Sequence, residues 1–283
     1  MDFYCDMNNQ NNFFSGLLDD LSFMFKDSKV IYSIKPLKSN KNLIYELALK
    51  NPSKDYSKTF IIKKHQKESA EKEFNTLKLL KSQKINVPSV LFFKNPYIIQ
   101  EKITGINLCD FINENLIGKT SLSEVDKEIR NKLYHALTLL AKWLANLHKK
   151  NIFSKEDFER IIVLNKGDTR LKDFIINFSN DIIYGLDFEE SYEGNYLEDI
   201  SWICCSLIDT NPGIFEMEEP LHKIELFNFF LKEYFKINSE FIFSFNYFTK
   251  SLIENLNTVI KRRGLNFGLL NKKTFLNKII KEI

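Results

Sequence analysis

Two acid-bearing segments constrain this chain most: Asp168 within Leu164-Asn165-Lys166-Gly167-Asp168-Thr169-Arg170-Leu171-Lys172-Asp173, and Asp187 within Tyr184-Gly185-Leu186-Asp187-Phe188-Glu189. Each is tied to a short apolar run, Phe174-Ile175-Ile176 after the first acid and Ile182-Ile183-Tyr184 before the second. Two such runs joined by a turn read as a strand hairpin. That hairpin carries Asp168, Asp173 and Asp187 towards one end. Three carboxylates gathered there repel one another unless a divalent cation sits among them. Hard cations such as Mg2+ take oxygen ligands, usually one or two carboxylates together with substrate phosphates. The pattern points to phosphoryl transfer.

Composition narrows the class. At 283 residues the chain has room for one large domain or two moderate lobes, and 44% apolar residues suffice for a packed core. Forty basic and 37 acidic residues leave a net charge of +3, too little bias for a generic nucleic-acid binder. The cysteines, Cys5, Cys109 and the adjacent Cys204-Cys205, show no zinc spacing and read as reduced thiols used in packing. The N-terminal residues lack a signal-peptide pattern, and no apolar run approaches the ~20 residues that span a bilayer. The expectation is a soluble cytoplasmic protein with neither nucleic-acid nor membrane partners. Oligomeric state stays open.

The periodicity changes along the chain. A helix is expected over Phe13 to Phe25. Strands follow at Val30 to Ile34, Leu43 to Leu49 and Thr59 to Lys63, then a helix from Glu68 to Lys81 with Ala70, Phe74, Leu77 and Leu80 on one face, then strands at Val90 to Phe93 and Tyr97 to Gln100. This order predicts an antiparallel sheet with one helix packed on it. Gly105 marks an expected lobe boundary, giving lobes 1–104 and 105–283. Beyond it a long helix runs to about His148, with Ser123 and Asp126 as its start signal and Leu133, Leu137, Leu140, Leu144 and Leu147 as an apolar stripe. Helices resume over Asp199 to Leu207, about His222 to Tyr234 and about Tyr247 to Arg263.

Several segments, in order, resemble the aminoglycoside phosphotransferase-like branch of the protein-kinase-like fold. Thr59-Phe60-Ile61-Ile62-Lys63 resembles the third strand with its nucleotide-binding lysine. Glu71-Lys72-Glu73 resembles the helix whose glutamate pairs with it, and Gln100-Glu101-Lys102-Ile103-Thr104-Gly105 the hinge. Leu140 to His148 is similar to the helix end Leu-Ala-x-Leu-His, and Glu193 to Asp199 to the segment after the second acid. The resemblance implies a bilobal α+β fold, with a small antiparallel-sheet N-lobe carrying one helix and a mainly helical C-lobe. It also implies an ATP- and Mg2+-dependent transfer of the γ-phosphate to a hydroxyl of a small molecule. By the same resemblance Asp168 orients or accepts the hydroxyl proton and Arg170 faces the transferring phosphate. Asp173 and Asp187 hold the metal. Lys63, Glu73 and Glu101 serve the nucleotide, and Asp199 braces the catalytic loop.

Departures stand beside the matches. The family's His before Gly-Asp is Lys166 here, and its metal-binding Asn is Asp173. No glycine lies between Leu17 and Thr104, so Lys38-Ser39-Asn40-Lys41 is left to cover the phosphates. Lys64 competes with Lys63, and Glu71 with Glu73. His148 reads as a packed residue bonding backbone, and His65, His135 and His222 as surface or boundary residues. The acidic run 187–193 reads either as a cation-receiving face or as an exposed loop. Lys261-Arg262-Arg263 reads as a helix C-terminal dipole match. Two other functions remain open: an inactive nucleotide-binding scaffold, and a kinase for lipopolysaccharide sugars or protein.

Overall fold

The computed structural model describes residues 31–39, 41–51, 56–66, 68–155, 161–211, 213–217, 219–265 and 276–282. The helix expected over 13–25, and Cys5, lie outside them. Strands β1 (Ile31–Leu37), β2 (Leu43–Asn51), β3 (Tyr56–Lys64), β4 (Val90–Lys94) and β5 (Tyr97–Glu101) form one sheet in the order β1-β2-β3-β5-β4, with every neighbouring pair antiparallel. Alternation along β2 and β3 sends Tyr45, Leu47, Phe60 and Ile62 to one face, where they bury with Ile99 as a small core of their own.

Helix α1 (Ala70–Ser82) joins β3 to β4 and turns Ala70, Glu73, Leu77 and Leu80 inward. These positions recur at helical spacing, so the buried Glu73 comes from the same face as the leucines.

After β5 the chain passes Gly105, where a Cβ would lie 2.4 Å from the Ile176 carbonyl oxygen, and enters β6 (Ile106–Asn107) and α2 (Leu108–Leu116). The long helix α3 (Lys127–Lys150) is capped by Asp126, whose Oδ1 accepts from the amides of Glu128 and Ile129. Ser123 lies instead in the short turn before it, because its hydroxyl is engaged with Ser121. All five leucines of the α3 stripe are fully buried. Each such burial contributes ~1.5–3 kcal/mol.

Strands β7 (Ile152–Lys155) and β8 (Ile161–Asn165) lead into the loop 166–170 and a 3-10 turn, Leu171–Asp173. The expected hairpin is β9 (Phe174–Asn177) with β10 (Ile182–Gly185), paired antiparallel and joined on its other edge by β6. β11 (Tyr192–Asn195) pairs with β8, and α4 (Tyr196–Asp209), α5 (Leu221–Ile237) and α6 (Phe245–Arg263) complete a helical lower half. Cys204 and Cys205 are buried in α4 and, like Cys109, are free. Among the described residues no helix is long and apolar enough to cross a membrane.

Candidate active site

Sheet, α1 and the acid hairpin meet across a cleft of about 880 Å³. Lys63 ends the inner half of β3 and is 5% exposed. Its Nζ lies 2.7 Å from Glu73 Oε2 on α1 and 2.7 Å from Asp187 Oδ1 below. Glu71 is exposed and Lys64 stands over the Tyr97 ring, so register gives the pair to Lys63 and Glu73. Burial opposes the Lys63 charge, but Glu73, Asp187 and Glu189 outweigh it and raise its pKa. Asp187 is lowered: burial opposes ionisation, and Lys63 and Lys166 overcome it.

The loop 166–170 is held from beneath. Buried Asp199 accepts from the main-chain amides of Lys166 (2.7 Å) and Gly167 (3.1 Å), from the Thr169 hydroxyl, and pairs with His148 Nε2 at 3.2 Å. His148 thus bonds side chains and not backbone, since its Nδ1 meets the Tyr234 hydroxyl at 2.7 Å. A Cβ on Gly167 would lie 2.2 Å from the Glu190 carbonyl oxygen, and its φ is +73°. Asp168 and Asp187 both sit at positive φ, +45° and +62°. Asp187 lines the cleft, and Asp168 is bound to Arg170 and Arg262, which line it too; acids in this backbone region cluster at functional sites.

Asp168 is held by two arginines: Arg170 Nη2 to Oδ2 and Arg262 Nη1 to Oδ1, each at 2.8 Å. Arg262 comes from the last turn of α6 and stacks over Trp202 at 5.6 Å. Its neighbour Arg263 pairs with Asp209. The expected dipole match stands, since Lys261, Arg262 and Arg263 fill the last turn of α6, and both guanidiniums in addition reach carboxylates that packing places beside them.

With this geometry in place, comparison with known proteins adds the following. The family model of the RIO domain matches residues 34–163, just under half of the chain, which includes Lys63 and Glu73 and stops before Asp168. No curated protein matches significantly. Solved structures similar to the chain include an ethanolamine kinase from Plasmodium vivax, 15% identical, covering 88% of this chain and 81% of that one with a TM-score of 0.49. They also include a choline kinase from Cryptosporidium parvum Iowa II, 15% identical, covering 75% and 74% with a TM-score of 0.44. The fold is α+β, an antiparallel N-terminal sheet with one helix followed by a mainly helical C-terminal part.

The remaining expected residues take these places. Glu101 and Lys102 line the cleft at the end of β5, with Glu101 Oε1 3.7 Å from Lys81 Nζ. Leu37, Lys38, Ser39, Lys41 and Asn42 line its upper rim where a glycine-rich loop is lacking. Lys41 leans onto the acid loop, 2.9 Å from Glu190. Asp173 is buried and meets Lys166 Nζ at 3.3 Å. Burial raises its pKa, with Lys166 opposing.

Charge patterning alone misplaced three residues. Glu189, in a run read either as a cation-receiving face or as an exposed loop, is 7% exposed, which rules out the second reading at this residue. It accepts from Asn42 Nδ2 at 2.6 Å and stands 3.4 Å from His65 Nδ1. His65 is buried, its Nε2 3.0 Å from Glu73, and burial is outweighed by Glu189 and Glu73 so that its pKa rises. His222 is buried too, and burial lowers its pKa. Only His135 stays at the surface, paired with Asp181. The available signal for His65 was its position two residues after Lys63, on the same inward-facing side of the chain.

Two groupings bear on metal. His65, Glu73 and Glu189 bring ligand atoms within 4.8 Å of one another. An ammonium already serves those carboxylates, because Lys63 Nζ is 2.7 Å from Glu73 and 3.7 Å from Glu189. Asp173 and Asp187 fit better. Each lines the cleft, and Asp173 Oδ1 and Asp187 Oδ2 accept no hydrogen bond from any described residue. Free carboxylate oxygens facing a cleft are the donor type Mg2+ takes.

Proposed function

We propose that this protein is an ATP- and Mg2+-dependent phosphotransferase acting on a hydroxyl of a small molecule, as members of the aminoglycoside phosphotransferase-like branch do. The observation that carries the reading is Lys63 Nζ, 2.7 Å from both Glu73 and Asp187. That ammonium joins the sheet lobe to the acid loop and faces a cleft large enough for a nucleotide. When bound, the magnesium nucleotide supplies the phosphoryl group and the cation that neutralises its oxygens.

The chain's own residues do the positioning. Lys63, steadied by Glu73, offers a fixed positive charge to phosphate oxygens entering the cleft. Asp173 and Asp187 would hold the metal, which supplies charge neutralisation there. Asp168 takes the acceptor's proton on Oδ1 once the acceptor hydroxyl displaces Arg262, and Arg170 stays on Oδ2 to keep the carboxylate aimed. Arg170 and Arg262 carry permanent charge suited to a phosphoryl group beside them. The setting proposed is cytoplasmic, where free thiols at 109, 204 and 205 persist, and the reading involves no nucleic acid or membrane.

One observation favours a second reading. With both Asp168 oxygens taken by arginines, the chain also suits a nucleotide-binding scaffold that does no chemistry. A metabolite panel assayed for ATP consumption separates the two. Phosphorylated product that requires Mg2+ and is lost in Asp187→Ala supports the enzyme. Turnover unchanged by that substitution refutes this site, and nucleotide binding with no product from any acceptor supports the scaffold.

A further inference from the structure

Lys166 sits directly under the cleft with 1% of its side chain exposed. Burying an ammonium there is costly unless a carboxylate and further acceptors surround it. Its Nζ has such a set: Asp173 Oδ2 at 3.3 Å, the Asp187 main-chain oxygen at 3.0 Å, and the face of the Phe188 ring at 5.7 Å. Its own amide is fixed by Asp199 at 2.7 Å. One residue therefore ties together the loop of Asp168, the turn of Asp173 and the loop of Asp187.

The pairing also divides the oxygens of Asp173. Oδ2 is committed to protein donors, Lys166 Nζ and the Arg170 amide at 3.3 Å. Oδ1 is left for the cleft. Asp187 is divided in the same way, with Oδ1 on Lys63 and its carbonyl on Lys166. Each carboxylate thus carries a resident cation on one side and a free oxygen on the other. Both ammoniums repel any dication that enters, and by neutralising part of the acids' charge they leave less to hold a second ion than a first.

We propose that Lys166 is a positioning residue that serves as the built-in counter-cation of Asp173, so that the cleft takes one divalent cation where an unpaired set of acids would take two. This rests on the phosphotransferase reading above, and deepens it by assigning the metal count to a lysine.

The test uses the full chain with Mn2+ and a non-hydrolysable ATP analogue, or its guanine counterpart, followed by electron paramagnetic resonance. The native chain is expected to bind one Mn2+, Lys166→Met two, and Lys166→Met with Asp173→Asn one again. Two Mn2+ on the native chain, or an unchanged count in Lys166→Met, overturns the proposal. A second measurement needs no ligand. Thermal unfolding of metal-free chains should show each single substitution losing several degrees and the double losing less than their sum. Additive losses overturn the pairing whether or not nucleotide binds. No Mn2+ binding with any nucleotide, alongside coupled unfolding, sinks the phosphotransferase reading and the metal count while upholding the Lys166–Asp173 pair.

Discussion

Lys63 lines the cleft, Asp168 stands behind two arginines that line it, and the two are held in opposite ways. Lys63 is buried, and its partners Glu73, Glu189 and Asp187 come from α1 and the acid loop, with His65 and Asn42 binding those acids in turn. Asp168 is met by Arg170 and Arg262, whose side chains are 26% and 45% exposed. Buried, mutually bonded charges cannot be parted without leaving one of them unpaired in low dielectric. A half-exposed guanidinium can leave for water at small cost. The Lys63 side behaves as scaffold, and the Asp168 side as an exchangeable contact that an acceptor can replace.

The largest effect should come from the buried brace below the loop. Asp199→Ala strips the acceptor from two amides, Thr169 and His148. It is expected to cost about 3–5 kcal/mol, a fall of roughly 10 °C in thermal unfolding. A change of only a degree or two would show that the loop does not depend on this carboxylate.

Next comes Glu73→Gln, with an expected loss of about 2 kcal/mol, the value of a charge-assisted hydrogen bond, and a higher KM for ATP. An unaltered KM would separate the pair from nucleotide binding.

A smaller effect, set by pH, is expected from Glu189→Gln. Burial opposes ionisation of Glu189, but His65, Lys63 and Asn42 hold it below its ordinary 4.5, and His65 is raised above 6.5. A lowered acid contributes stability that is present above its unfolded pKa and lost as pH falls through the folded one. A raised histidine contributes stability that is present below its unfolded pKa and lost as pH rises through the folded one. The difference between native and variant unfolding temperatures should therefore peak between about pH 4.5 and 6.5 and shrink on both sides. A flat difference would mean that the two groups do not interact.

Smallest in stability is Arg262→Ala, at under about 1 kcal/mol, because exposed ion pairs contribute little. If it destabilises as much as Glu73→Gln, the contrast between scaffold and exchangeable contact fails. If its stability holds while phosphate transfer changes, Arg262 acts at the cleft and not in the fold.

Much of this arrangement was legible in the residues. The α3 leucine stripe announces one buried side, and the inward face of α1 is legible at Ala70, Leu77 and Leu80, with Glu73 buried and the expected Phe74 only half-buried. The hairpin of β9 and β10 stands where loop, strand, turn, strand and acid placed it. The long-helix cap moved from Ser123 to Asp126 because the nearer carboxylate reaches the free amides. Glu189 was hidden by its setting in an acidic run, and His65 because its acid partners, Glu73 and Glu189, come from other elements. The two departures at Lys166 and Asp173 looked independent until the loop turned one onto the other.

Periodicity and turn chemistry depend on neighbours within a few residues, so the sequence by itself determined the elements, their buried faces and the order of the acids. Which cation meets which acid was decided only by tertiary packing. Arg262 and Asp168 are 94 residues apart, and Lys63 and Asp187 are 124 apart. Attraction between charges strengthens at short range and in the low dielectric that burial creates, and both arise only in the packed fold.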